Sequence, residues 1–135
     1  MKLADAQIAV LAENMYQELE LWYPLMRLRE EGCNVVVVGP AEQTYASKLG
    51  YPVKPDLAIA DADPAAFDAV VIPGGNVARL ADDGAFRAFV RDAAQKRVRI
   101  AAASQAASLA PDSLVARTTD DVPQWTRNLI TELSR

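Results

Sequence analysis

The sequence predicts a doubly wound α/β domain, a mostly parallel sheet with helices on both faces. Four short apolar runs, at residues 8–12, 35–38, 69–72 and 100–103, lack polar alternation, as expected of parallel strands buried on both sides. Between them apolar residues recur at helical spacing, so strands and helices alternate along the chain. At 135 residues, with 51% hydrophobic and 24% charged side chains, the chain suits a single globular domain with one core.

Each element has its own signal. After the first strand, a helix is expected over 18–31, where Leu21, Leu25 and Leu28 form a stripe, Gly32 supplies the stop, and the internal Pro24 predicts a kink. Trp22, Tyr23 and Met26 make this helix apolar over a second face, to be covered either by a second subunit or by the domain itself. The second strand, 35–38, closes at Gly39-Pro40, and residues 44–53 read as a small hairpin around Gly50. Asp63-Pro64 opens a short helical turn, with an N-cap followed by proline. The third strand, 69–72, ends at Pro73-Gly74-Gly75.

Phe86, Phe89, Val90 and Ala93 then mark an amphipathic helix ending near Lys96. The basic run Lys96-Arg97-Val98-Arg99 suits the negative end of that helix better than a docking patch. The fourth strand, 100–103, feeds directly into Ser104 and a brief alanine-rich helix that Pro111 interrupts. Residues 114–118 form the last strand, and Trp125, Leu129, Ile130 and Leu133 form the stripe of a C-terminal helix capped by Asp120 or Asp121.

Composition narrows the function. A net charge of −4 with 14 dispersed Lys and Arg argues against nucleic acid. No apolar run approaches the roughly 18 residues that span a bilayer. The N-terminus also lacks a signal peptide's apolar stretch, so a cytoplasmic protein with no membrane partner is expected. Cys33 has no internal disulfide partner and reads as a small buried residue or a redox sensor. With no histidine and one thiol, no zinc or other metal site is expected.

In doubly wound sheets ligands sit beyond the carboxyl ends of the strands, where the strand order switches. Residues 13–17, 73–77 and 104–107 should therefore converge. The last of these carries the sharp turn Ala103-Ser104-Gln105-Ala106, where a nucleophile belongs. The absence of histidine removes the base on which Ser-His-Asp and Cys-His schemes depend.

Glu20-Leu21-Trp22-Tyr23-Pro24, followed by Arg27-Leu28-Arg29-Glu30-Glu31-Gly32, resembles the first helix of the ThiJ/PfpI superfamily, closest to its PfpI protease branch. Gly50-Tyr51-Pro52-Val53-Lys54-Pro55-Asp56-Leu57 and Phe67-Asp68-Ala69-Val70-Val71-Ile72-Pro73-Gly74-Gly75 extend the resemblance in order, and Asp121 with Trp125 is similar to its closing motif. The resemblance implies a flavodoxin-like domain of the class I glutamine amidotransferase type. It also implies oligomers, commonly dimers, and activities that include intracellular proteolysis, deglycation, glyoxalase chemistry and stress chaperoning.

The family's elbow cysteine, histidine, glycine and proline fall on Ser104, Gln105, Ala106 and Ala107. Its glutamate, which hydrogen-bonds the cysteine, aligns with Gln17, with Glu18 as an alternative. The acidic residue that PfpI-like members place after Pro-Gly-Gly has no match among Asn76, Val77, Ala78 and Arg79. The family's long helix after the elbow is missing, since only residues 108–113 precede the last strand, and an apolar face or sheet edge is left to cover.

Backbone N–H groups at Gly74, Gly75 and Gln105, beside Asn76, read either as an oxyanion or ligand cradle or as a tight turn. Ser104 needs a carboxylate base such as Glu18 or Glu13, and a carboxylate of pKa about 4 is a poor one. Gln17, Ser104 and Gln105 together read as a neutral cluster for a small polar or carbonyl ligand, or as side chains that satisfy one another and water. Three classes follow: a ligand-binding or stress-associated pseudoenzyme, expected as a homodimer or higher homo-oligomer; a hydrolase, protease or glyoxalase-type enzyme using Ser104 or a carboxylate; and a chaperone-like interaction module. No cofactor is expected, because Glu13 and Glu18 would repel a flavin phosphate after the first strand.

Overall fold

Fully apolar strands pair side by side only where both faces can be covered, and this chain covers both. The computed structural model describes residues 1–75, 82–110 and 113–135. In chain order the elements are β1 (Gln7–Leu11), α1 (Glu18–Glu30), β2 (Asn34–Gly39), β3 (Tyr45–Ala46), β4 (Pro52–Val53), β5 (Leu57–Ala58), β6 (Ala69–Ile72), α2 (Gly84–Gln95), β7 (Arg99–Ala103), β8 (Leu114–Ala116) and α3 (Val122–Ser134). Six strands form one parallel sheet in the order β5-β2-β1-β6-β7-β8, while β3 and β4 make a separate antiparallel hairpin. This is the predicted doubly wound α/β fold.

The period of 2 along each strand divides the interior into two cores. Ile8, Val10, Val71 and Ala101 face α1 and α3, meeting Leu21, Leu25, Leu28, Trp125 and Leu129. Ala9, Leu11, Val70, Ile72 and Ala102 face the other way, toward Phe86, Phe89, Val90 and Ala93 of α2. Alanines on β7 keep that strand thin beside both layers.

Local chemistry sets the helix starts. Gln17 caps α1 by accepting the Glu20 N–H at 2.9 Å, and Asp83 caps α2 by accepting those of Ala85 and Phe86 at 2.9 and 3.2 Å. Helix α1 runs through the buried Pro24 as one continuous element. Its C-terminal turn is tied by Arg27, whose guanidinium lies 2.6 Å from Glu31.

The C-terminal elements and the sheet edge add detail to the expected pattern. The brief alanine-rich helix expected after Ser104 is present as a 3-10 helix, Ser104–Leu109; Pro111 lies outside the described residues. Helix α3 follows a 3-10 turn, Thr119–Asp121, and Asp121 gives it no side-chain cap. The Asp121 carboxylate instead turns back to the N–H groups of Arg117 and Thr118 at 3.0 and 3.4 Å. The edge strand β5 was not anticipated; it lies on Val38 and Gly39 of β2.

Candidate functional site

The order of the strands reverses between β1 and β6, so a crevice opens beyond their carboxyl ends. The loop into α1, the Pro73-Gly74-Gly75 turn and the turn after β7 meet there, as expected. Gln17 N–H donates to the Gly74 carbonyl at 3.1 Å, fastening the start of α1 to that turn.

Strand β7 delivers Ser104 with φ at 54°, in the left-handed region. A serine held there is strained, and the strain swings its Oγ out of the strand direction toward α1. Ser104 Oγ donates to Glu20 Oε2 at 3.1 Å. Glu20 is 2% exposed, and its other oxygen, Oε1, accepts the Gly74 N–H at 2.9 Å. Thr119 Oγ1 donates to Oε2 from the far side at 3.5 Å. The buried carboxylate thus has partners from three segments of the chain, as a polar group inside a protein requires.

Glu20 was not among the residues singled out from the sequence, and its signal was present. Glu20, Leu21, Pro24, Leu25 and Leu28 are the buried positions of α1, so Glu20 interrupts an apolar helical face. A carboxylate at such a position needs an internal donor. The alignment that placed the elbow glutamate on Gln17 or Glu18 is corrected accordingly.

Gln17 is the helix cap, with its side-chain oxygen on the Glu20 N–H. Glu18 faces the β3–β4 hairpin, accepting from the Ser47 hydroxyl and from Leu49 N–H at 2.9 Å. The Ser47 hydrogen bond holds its carboxyl below the usual range. Glu18 is therefore a hairpin anchor, while the hydrogen-bond partner of Ser104 is Glu20. Glu13 is buried and accepts the N–H of its neighbour Asn14 at 2.7 Å.

The glycines have packing reasons for being glycine. A Cβ on Gly74 would sit 2.5 Å from Glu20 Oε1 and 3.1 Å from Ser104 Cβ. Gly75 has φ of 117°, and a Cβ there would collide with the Met15 carbonyl. Because the Gly74 N–H already serves Glu20, it is not a vacant oxyanion donor. Gln105 is exposed, with its carbonyl accepting from Ser108 Oγ at 2.9 Å. Asn76 lies outside the described residues.

Chemically, the arrangement holds one hydroxyl in a fixed direction at the mouth of the crevice. The nearest group able to accept its proton is Glu20. Among the described residues, no cluster of His, Cys, Asp and Glu is arranged to hold a metal ion, and no helix is long and apolar enough to cross a membrane. Cys33, the one thiol, is buried well away from the elbow at the start of β2, and burial raises its pKa.

Known proteins share this architecture. A relative of unassigned function from Archaeoglobus fulgidus is 45% identical over 69 residues, covering 51% of this chain and 41% of its own. The deglycase PfpI of Pyrococcus furiosus is 41% identical over 69 residues, covering 51% of this chain and 42% of its own. The matched stretch is thus less than half the length of either relative. Oxidized DJ-1 of Toxoplasma gondii superposes with a TM-score of 0.83 at 17% identity, over 95% of this chain and 90% of that one, a likeness of fold. The profile of the DJ-1/PfpI family matches residues 6–131, and with the parallel sheet and elbow in place the chain belongs to the DJ-1/PfpI family.

Proposed function

We propose that this chain is a ligand-binding member of its family, a cytoplasmic homodimer that holds a small polar or carbonyl compound at the elbow without cysteine-based turnover. The observation that carries the reading is the Ser104–Glu20 hydrogen bond at 3.1 Å, which fixes a neutral hydroxyl where the family resemblance puts a thiol. An alcohol is a far weaker nucleophile than a thiolate unless a base takes its proton, and the chain has no imidazole. Glu20 already accepts hydrogen bonds on both oxygens, which suits it to orienting Ser104. The relatives named deglycases point to reactive carbonyl compounds as the ligand class to try first.

The homodimer rests on α1. Leu19, Tyr23 and Met26, spaced i, i+4, i+7, are 53%, 37% and 58% exposed and form one apolar stripe on its outer face. Trp22 turns the other way: its indole N–H donates to the Tyr16 hydroxyl at 3.0 Å and its ring packs on Tyr51 at 5.5 Å.

Purified chain mixed with methylglyoxal should show no consumption above buffer, and its Ser104 and Gly75 amide resonances should shift saturably. Turnover that vanishes in Ser104→Ala would refute the reading. That result would favour the second reading supported by the same 3.1 Å contact, a serine hydrolase or glyoxalase with Glu20 as its base.

A further inference from the structure

A serine hydroxyl has one proton and two acceptor lone pairs, so it donates in one direction at a time. At the elbow that proton goes to Glu20 Oε2 at 3.1 Å, which leaves Ser104 able to accept hydrogen bonds from the crevice but not to donate one. A carbonyl oxygen only accepts. To hold it, the Ser104 proton must swing away from Glu20, and Oε2 then loses its nearest donor within a side chain that is 2% exposed. A buried carboxylate short of a donor bears a desolvation cost that would work against binding.

Among the described residues, two other donors reach this carboxylate. The Gly74 N–H is a backbone group fixed on the other oxygen, Oε1, at 2.9 Å, and cannot change places. Thr119 is different, because its hydroxyl lies on Oε2 itself at 3.5 Å. That is about 0.7 Å longer than a usual O–H···O bond. The contact is slack while Ser104 occupies the oxygen, and it has room to tighten once Ser104 turns away.

The fold fixes where Thr119 stands. Ala116 of β8 lies opposite Ala103 of β7, so the chain leaving β8 runs beside Ser104. It enters the 3-10 turn Thr119–Asp121 at once, and Asp121 ties that turn on both sides: its N–H donates to the Thr118 carbonyl at 3.1 Å, and its carboxylate accepts the Arg117 N–H at 3.0 Å. Thr119 is half-buried between this turn and α1, with its hydroxyl as the one mobile donor left for Oε2 among the described residues.

We infer that Thr119 is a positioning residue of the elbow, keeping Glu20 Oε2 hydrogen-bonded when Ser104 turns its proton to the carbonyl oxygen of a ligand. The inference rests on the elbow reading and narrows its ligand class to hydrogen-bond acceptors. A ligand hydroxyl donates to Ser104 Oγ without disturbing the bond to Glu20, so a diol needs nothing from Thr119.

The test is an amide-shift titration of the intact chain, with methylglyoxal as the carbonyl probe and propane-1,2-diol as the hydroxyl probe. Thr119→Val keeps the shape of the side chain and removes its hydroxyl. It should weaken methylglyoxal by about fivefold or more, and the diol titration should be the same in both chains. Thr119→Ser, which returns the hydroxyl, should restore methylglyoxal binding. Methylglyoxal that binds the unaltered chain and Thr119→Val equally well overturns the role of Thr119 while the elbow reading stands. A parallel loss of both probes in Thr119→Val, or a Thr119→Ser chain that does not recover, overturns it too. Methylglyoxal that shifts no amide of the unaltered chain overturns the elbow reading and this inference together.

Discussion

Gly74→Ala tests how tightly the elbow is built. The added Cβ would lie 2.5 Å from Glu20 Oε1, 3.1 Å from Ser104 Cβ and 3.3 Å from Ser104 Oγ, whereas heavy atoms settle at about 3.5 Å or more. The carboxylate must then retreat by about 1 Å. Helix α1 cannot retreat with it, because Leu21 and Leu25 are buried in the core behind and Gln17 pins its start to Gly74. The movement therefore falls on the Glu20 side chain, and it breaks the hydrogen bond from Gly74 N–H.

Losing a hydrogen bond to a carboxylate costs about 1.5–3 kcal/mol, and overpacking a filled site costs about 1–3 kcal/mol. A single displacement relieves part of both. Gly74 is not among the positive-φ residues, so alanine also gains about 0.4–1 kcal/mol by restricting the unfolded chain. The net expectation is a loss of about 2–4 kcal/mol. For a chain of this size that lowers the midpoint of thermal unfolding by about 6–15 °C. Ser104→Ala, which removes one donor to the buried carboxylate and adds no atom to the filled site, should cost less, about 1–3 kcal/mol. Urea unfolding followed by circular dichroism measures both, and a Gly74→Ala chain no less stable than Ser104→Ala would refute the close-approach argument.

The remaining predictions concern surfaces and titrations. Met26→Glu places a charge in the exposed stripe of α1 and should leave the fold intact while shifting the sedimentation velocity from dimer to monomer; an unchanged profile would remove α1 from the interface. Glu18 has a folded pKa below its ordinary 4.5, so its contribution is complete above that pH and is lost as pH falls through the lowered folded value. Ser47→Ala removes the chief cause, and its acid unfolding should begin with a smaller loss of stability in that window, measured as the urea midpoint against pH. Cys33, buried and with its pKa raised by burial, should react with iodoacetamide much more slowly in the native chain than in urea. Equal rates would mean that the start of β2 is open to solvent.

How much of this was legible depended on burial. Strands β1, β2, β6 and β7 announced themselves because both of their faces meet apolar layers, which writes an unbroken hydrophobic run. Strand β5 left no such signal: Leu57 and Ala58 are half-buried, and the segment is positioned by the Asp56 carboxylate on the Val37 N–H at 2.8 Å, a contact 19 residues distant in sequence. The same distinction runs through the site. Ser104 was legible from the small residues that frame a sharp turn. Its partner was not, because a distance of 84 residues in the chain gives no local pattern, and Gln17 and Glu18 lay nearer the strand end. Reading Glu20 as a misfit in its own apolar stripe would have recovered it.

The strain at Ser104 bears on why a hydroxyl stands there. A non-glycine residue in the left-handed region costs about 1–2 kcal/mol, which Ser104→Gly would relieve. The same change deprives Glu20 Oε2, in a side chain 2% exposed, of its 3.1 Å donor and leaves Thr119 at 3.5 Å, a loss of about 1–3 kcal/mol. The two terms nearly cancel, and the freer unfolded chain of a glycine costs about 0.4–1 kcal/mol more, so folding stability differs little between serine and glycine at this position. What serine adds is a hydroxyl of fixed direction at the mouth of the crevice. Ser104→Gly should therefore unfold within about 1 kcal/mol of the unaltered chain while losing the methylglyoxal-induced amide shifts. A Ser104→Gly chain that binds as well as the original would place the ligand away from the elbow.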